Sequence, residues 1–160
     1  MQRKVLSGVI AIGLALTLTA CGPGADAPTR NIRQVTDGIE TQIKNGNTDI
    51  RIRNLVVVTQ ADGSAVLVGS IVNSGATDDA LLRITIGGVP ATITAANITM
   101  KQNDVLRFEG ASANAKAVSE GVNLLAGSNT PVSLFFGSAG TANVNALVRS
   151  ADGIYANITR

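Results

Sequence analysis

Ile50-Arg51-Ile52-Arg53-Asn54-Leu55-Val56-Val57-Val58 is the stretch on which the fold turns. Ile50, Ile52, Val56 and Val58 share one parity, and Arg51 and Arg53 share the other. A two-residue period with charge on one side marks a strand half-buried in a sheet. Asp62-Gly63 follows, a pair that favours a tight hairpin turn because both central positions need positive φ. Residues 65–73, Ala-Val-Leu-Val-Gly-Ser-Ile-Val-Asn, then form the next strand.

Downstream the same grammar repeats. Residues 73–79 are rich in Asn, Gly and Asp and read as a loop. Residues 80–86 alternate, with Leu82, Ile84 and Ile86 on one side and Arg83 and Thr85 on the other, until Gly87-Gly88 breaks the run. Residues 90–100 are Thr- and Ile-rich and extended, and 104–109 form a short strand. Residues 111–121, made of Ala, Ser and Asn, favour neither state. Residues 131–136 place Val132, Leu134 and Phe136 on one face. After Gly137-Ser138-Ala139-Gly140, strands at 142–148 and 154–158 follow, separated by Asp152-Gly153. Short strands at this spacing, without long amphipathic helices, predict an antiparallel β-sandwich. Over 31–48, Val35, Ile39 and Ile43 sit at helical spacing while Gly38 and Gly46 weaken a helix, so a short helix and a β-arm both stay open. With three Phe, one Tyr and no Trp, the core must be built of Val, Ile, Leu and Ala.

The N-terminus has the layout of a secretory signal. Arg3 and Lys4 precede an uncharged, mostly apolar stretch at 5–18, which small residues close. That stretch is shorter than the roughly 20 apolar residues that span a bilayer. Leu18-Thr19-Ala20-Cys21 resembles the lipobox of bacterial lipoproteins, a branched apolar residue and two small ones before the cysteine that takes the lipid. The resemblance implies cleavage before Cys21, a diacylglyceryl thioether on its sulfur, and a cell-membrane anchor on the extracytoplasmic side. Two acyl chains give stable anchoring where one does not. Gly22-Pro23-Gly24-Ala25-Asp26-Ala27-Pro28-Thr29 cannot bury a core and reads as a tether. The domain plan is thus a signal peptide at 1–20, lipidated Cys21 and tether at 21–30, an N-terminal arm at 31–49 and a β-sandwich at 50–160.

The 160-residue chain carries 13 basic and 11 acidic side chains. Loss of Arg3 and Lys4 with the signal leaves the two signs balanced. A neutral domain lacks the basic footprint that nucleic-acid binding needs. Cys21 is the only cysteine, so no disulfide forms within the chain. There is no histidine. The Ser-His and Cys-His nucleophile arrangements are therefore excluded, and no enzyme is expected.

Three stretches in order resemble a known family: Val66-Leu67-Val68-Gly69-Ser70-Ile71-Val72-Asn73-Ser74-Gly75; Asp78-Asp79-Ala80-Leu81-Leu82-Arg83-Ile84; and Leu124-Leu125-Ala126-Gly127 leading to Pro131-Val132-Ser133-Leu134-Phe135-Phe136 and Ala139-Gly140. Together they resemble the PCu(A)C-type periplasmic copper chaperones, more closely the actinobacterial lipoprotein branch. The resemblance covers about residues 50–158. It implies a cupredoxin-like or immunoglobulin-like fold, so the fold class is an all-β, antiparallel Greek-key β-sandwich. It also implies a Cu(I) site of two histidines and two methionines, soft ligands that suit Cu(I). The chain departs from that pattern. The paired His and Met would fall shortly before Leu124, where Ala111-Ser112-Ala113-Asn114-Ala115-Lys116-Ala117-Val118 offers no soft ligand. The fold and location carry over, and the copper site does not.

Met100 is the one weak metal candidate, and a methionine near a strand end more often packs. Asp78-Asp79 reads as a pair of solvated turn acids, and Asp104 and Glu109 flank a strand. Asn97-Ile98-Thr99 and Asn157-Ile158-Thr159 match glycosylation sequons but read as exposed strand residues. Arg51, Arg53, Arg83, Arg107 and Arg149 would form a basic stripe only if they converged; scattered solvated arginines are the simpler reading. No cofactor is expected. The expected partners are membrane lipid through Cys21 and an envelope protein, with a binding or scaffolding role; the alternative is copper handling by an altered or partner-shared site.

Overall fold

The computed structural model describes residues 37–160. Eleven strands make up this region: β1 (Ile39–Asn45), β2 (Thr48–Thr59), β3 (Ala65–Asn73), β4 (Asp79–Ile86), β5 (Val89–Pro90), β6 (Thr92–Ala95), β7 (Thr99–Met100), β8 (Val105–Arg107), β9 (Ala115–Ser119), β10 (Asn129–Phe136) and β11 (Thr141–Ser150). They follow the order β5-β4-β10-β11-β2-β3-β9-β6, with β1 on β2, β7 on β4 and β8 on β3. β5 and β6 stand at opposite ends of that order, yet only Ala91 separates them in the chain. The sheet therefore curls into a near-closed sandwich around one main core. Every pair is antiparallel except β11 with β2, which run parallel where Val148–Ser150 meets Val57–Thr59. That parallel pair makes an otherwise antiparallel sheet mixed at one point.

The strand grammar of the sequence is mostly realised. β3 has the predicted bounds, and Val132, Leu134 and Phe136 of β10 all face the core. Of the two states open before residue 50, Ile39–Asn45 takes the strand and pairs with β2. The undecided segment at 111–121 contains β9, whose Ala115 and Ala117 are buried.

Four local readings need correction. First, alternation along β2 does not run unbroken. Asn54 takes φ 51°, and the pairing with β3 shifts register between Arg53 and Val56. The extra residue of such a bulge flips every side chain beyond it to the opposite face. Leu55 and Val57 therefore join Ile50 and Ile52 in the main core. Val56 and Val58 turn to the other face, where Val68 meets them. Second, Leu82 does not share a face with Ile84 and Ile86. A register shift places Phe135 opposite Arg83 but Phe136 opposite Leu81, and Leu82 is left 59% exposed while Leu81 is buried. Third, Asp62-Gly63 is not a two-residue turn. Only Gly63 has positive φ, and the Gln60 N–H donates to Ser64 O across a wider loop at 2.9 Å. The Asp62 carboxylate accepts from Ser64 N at 3.0 Å and Ser64 Oγ at 2.6 Å, which braces that loop.

Fourth, residues 154–158 form no strand. Gly153–Tyr155 is a 3-10 turn. The C-terminal segment instead lies across the outer face of the sheet, where Ala151, Tyr155 and Ile158 cover Val56, Val58 and Val68. Gln60 Nε2 donates to Ile158 O at 3.1 Å, and Arg160 pairs with Asp62 at 2.8 Å. The bulge creates an apolar outer face, and the segment removes it from water. Full burial of a valine side chain stabilises by about 1.5 kcal/mol or more.

Candidate functional site

The region around Met100 is where the sequence placed its one metal candidate. β7 is held against β4 by pairing of Met100 with Asp79 and Thr99 with Ala80. Asn73, wholly buried at the end of β3, fixes both flanks. Its Nδ2 donates to Met100 O at 2.9 Å and to Thr77 O at 2.8 Å, and its Oδ1 accepts from Gly75 N at 3.0 Å. Both polar atoms of its side chain have partners within the fold.

Met100 itself is 1% exposed and belongs to the main core. It is one of the residues lining a hollow of about 220 Å³, together with Asn97, Thr99, Asp104 and Asn114. The wall amides are engaged. Asn114 accepts from Arg107 N at 2.8 Å and donates to Val105 O at 2.8 Å. Asn97 Oδ1 accepts from Thr99 N at 3.0 Å. Asp104 Oδ2 accepts from Lys101 N at 2.9 Å, a loop brace. The donors that remain are oxygens, which suit hard cations rather than Cu(I). The residues present do not fit a two-histidine, two-methionine copper site. Among the described residues, no group of three or more His, Cys, Asp or Glu could hold a metal ion.

Asp78 and Asp79 part company. Asp78 is exposed, whereas Asp79 is only 5% exposed and faces the β10–β11 turn. Its Oδ1 accepts from Ala80 N at 2.7 Å and Ser138 N at 2.8 Å, and its Oδ2 accepts from Ala139 N at 2.8 Å. The expectation of two solvated acids fails here because the turn at 137–140 presents backbone donors that a short buried carboxylate can satisfy. A carboxylate ringed by backbone N–H groups is a structural clamp. Asp79→Ala should lower stability by about 1–3 kcal/mol, since it strands amides that the carboxylate had satisfied. A urea midpoint unchanged by the substitution would contradict this.

The five arginines do not make a bare basic stripe. Arg51 pairs with Asp49 at 3.0 Å, Arg53 with Glu40, and Arg149 with Asp37. The Arg51 hydrogen bond, helped by Gln42, holds the Asp49 carboxyl below its usual range against the opposing effect of burial. Arg83 stacks on Phe135, with its guanidinium carbon 4.0 Å from the ring centroid. Arg107 is exposed. Tyr155 lies beside the Asp37–Arg149 pair, and burial pushes its phenol up. Of the two sequons, Asn97 is exposed in the loop before β7 and Thr99 is exposed in β7, and Asn157 and Thr159 are exposed in the C-terminal segment. Cys21, the signal and the tether lie outside the described residues. Among the described residues no helix is long and apolar enough to cross a membrane.

The geometry defines a curled β domain in which Met100 is buried in the core. Solved structures extend this to a particular fold. The apo PCuAC domain from PmoF1 superposes with a TM-score of 0.54 at 19% identity, over 69% of this chain and 99% of that one. The copper-bound PCuAC domain from PmoF2 gives 0.55 at 18%, over 69% and 98%. The apo PmoF2 domain gives 0.54 at 17%, over 71% and 98%. The chain thus has a PCuAC-like fold. No protein-family profile matches it, and no curated protein matches its sequence.

Proposed function

We propose that the protein is a non-enzymatic lipoprotein, anchored through Cys21 on the extracytoplasmic side of the cell membrane. Its PCuAC-like domain serves a binding or scaffolding role at the envelope, with an envelope protein as partner, and lacks the copper ligands of the chaperones it resembles. The observation that carries this reading is the coincidence of a PCuAC-like fold with a chain that has no histidine. The burial of Met100 supports it, since a thioether 1% exposed within a packed core is not presented to an incoming ion. A second reading, copper handling by an altered or partner-shared site, is favoured by one observation: a neighbour of this fold is copper-bound.

One experiment addresses both halves. The full chain and its Cys21→Ala and Met100→Ala variants are expressed in a bacterial host, fractionated, and purified for Cu(I) binding under reducing conditions. The parent should carry lipid and sediment with membranes, and Cys21→Ala should lose both. Neither the parent nor Met100→Ala should hold stoichiometric copper against a competing chelator. Lipid retained on Cys21→Ala would refute the anchor. Tight copper on the parent would refute the ligand-free domain, and its loss in Met100→Ala would establish the second reading.

A further inference from the structure

Asn45-Gly46 is the only Asn-Gly pair in the chain, and it lies at the tip joining β1 to β2. Asn45 ends β1 opposite Thr48, so Gly46 and Asn47 are the two turn residues. Gly46 has φ 55°, and Asn47 is not left-handed. A glycine at the first turn position is what a type II′ hairpin turn requires. Asn45 and Gly46 are both exposed. Neither the Asn45 carboxamide nor the Gly46 amide is tied by a hydrogen bond. A Cβ at Gly46 would meet nothing within 4 Å, so no neighbouring group crowds the turn at that residue.

Gly63, which follows Asp62 in the next hairpin loop, is held differently. Gly63 N donates to Gln60 O at 3.0 Å, and the Asp62 carboxylate is occupied by Ser64. Buried Asn73 has its side chain fixed at three points.

We propose that Asn45 is a site of spontaneous deamidation through a cyclic imide. The Gly46 nitrogen gives up its proton to solvent base and attacks Asn45 Cγ. The new C–N bond closes a succinimide, and the Cγ–Nδ2 bond breaks, releasing ammonia. Water then opens the imide. Cleavage at Cγ leaves aspartate, and cleavage at the main-chain carbonyl leaves isoaspartate. The net change is one water consumed and one ammonia released, with no redox step. The aspartate product puts a carboxylate beside Lys44, the residue paired across from Asp49. The isoaspartate product adds a carbon to the backbone at residue 45, at the entrance of the two-residue turn that sets the register of β1 on β2. The consequence is a time-dependent loosening of the first strand of the described domain.

The test holds the full-length protein in warm, mildly alkaline buffer and cleaves it after Lys44 and Arg51. Fragment masses then locate conversion within the peptide at 45–51. Asn47, in the same peptide but followed by Thr48, is the internal reference, and exposed Asn145 is a second. Amide-to-acid conversion should accumulate at residue 45 ahead of 47 and 145. It should be absent there in Asn45→Gln and slowed in Gly46→Ala. Conversion at Asn45 no faster than at Asn47, or undetectable while Asn145 converts, would overturn the proposal.

Discussion

Gly69→Ala should cost the domain about 3 kcal/mol or more, a large fraction of the roughly 5–15 kcal/mol that keeps a domain folded. Gly69 sits in β3 with φ 132°, a conformation that L side chains rarely adopt. A Cβ there would lie 2.9 Å from the carbonyl oxygens of both Arg53 and Asn54 and 3.1 Å from Leu55 Cα. All three are backbone atoms of the bulge on β2, so no side chain can swing aside to make room. The bulge and the glycine are one device: the chain of β2 crowds inward at Asn54, and β3 has no side chain at the point of crowding. Thermal or urea unfolding of the purified variant reads this directly. A midpoint close to that of the parent would mean that the two strands can separate without loss.

Leu55→Ala should cost about 2–5 kcal/mol, the range for removing a large aliphatic side chain from a packed core. Leu55 is fully buried in the main core. Uninterrupted alternation from Ile50 would put it on the arginine side of β2, where truncation would cost little. The measurement therefore tests the bulge as well as the core. Val56→Ala is the matched comparison, because Val56 lies in the smaller cluster beneath the C-terminal segment. Its loss should be the milder of the two, since fewer methyl groups are removed and the cover of Ala151, Tyr155 and Ile158 can settle onto the gap. A larger loss at Val56 than at Leu55 would reverse the assignment of faces.

These two positions mark the limit of what could be read from residues alone. Val132, Leu134 and Phe136 announced their face correctly because β10 keeps one unbroken register with β11 from Asn129 to Phe135. Leu82 did not, because the shift that exposes it is in the pairing of β4 with β10, strands separated by more than forty residues of sequence. A period of two is a property of one strand, whereas a bulge is a property of two strands in contact. Local pattern carries no mark of it beyond a residue such as Asn54, which tolerates positive φ.

The candidate site follows the same division. Met100 and Asp104 could be singled out by residue type, and both line the hollow, joined by Asn97 of the first sequon and Asn114 of the stretch without soft ligands. That Met100 is turned into the core, and that Asn97 and Asn114 spend their amides on backbone, depends on the pairing of β7 with β4 and on the loop before β9. Asp79 was legible only as half of an acid pair. Its role came from the turn at 137–140, some sixty residues away in sequence, whose backbone donors only folding brings to it.

The amino-acid sequence alone determined the all-β class, the places of most strands and turns, the single cysteine and the absence of histidine. These follow from composition and from periodicities that a chain carries without a partner. The tertiary structure decided which faces of β2 and β4 look inward, that the C-terminal segment covers the outer valines, and that Met100 and Asp79 are interior. Each depends on where non-neighbouring strands meet, because burial and buried hydrogen bonds are energies of contact between elements, and no element holds them by itself.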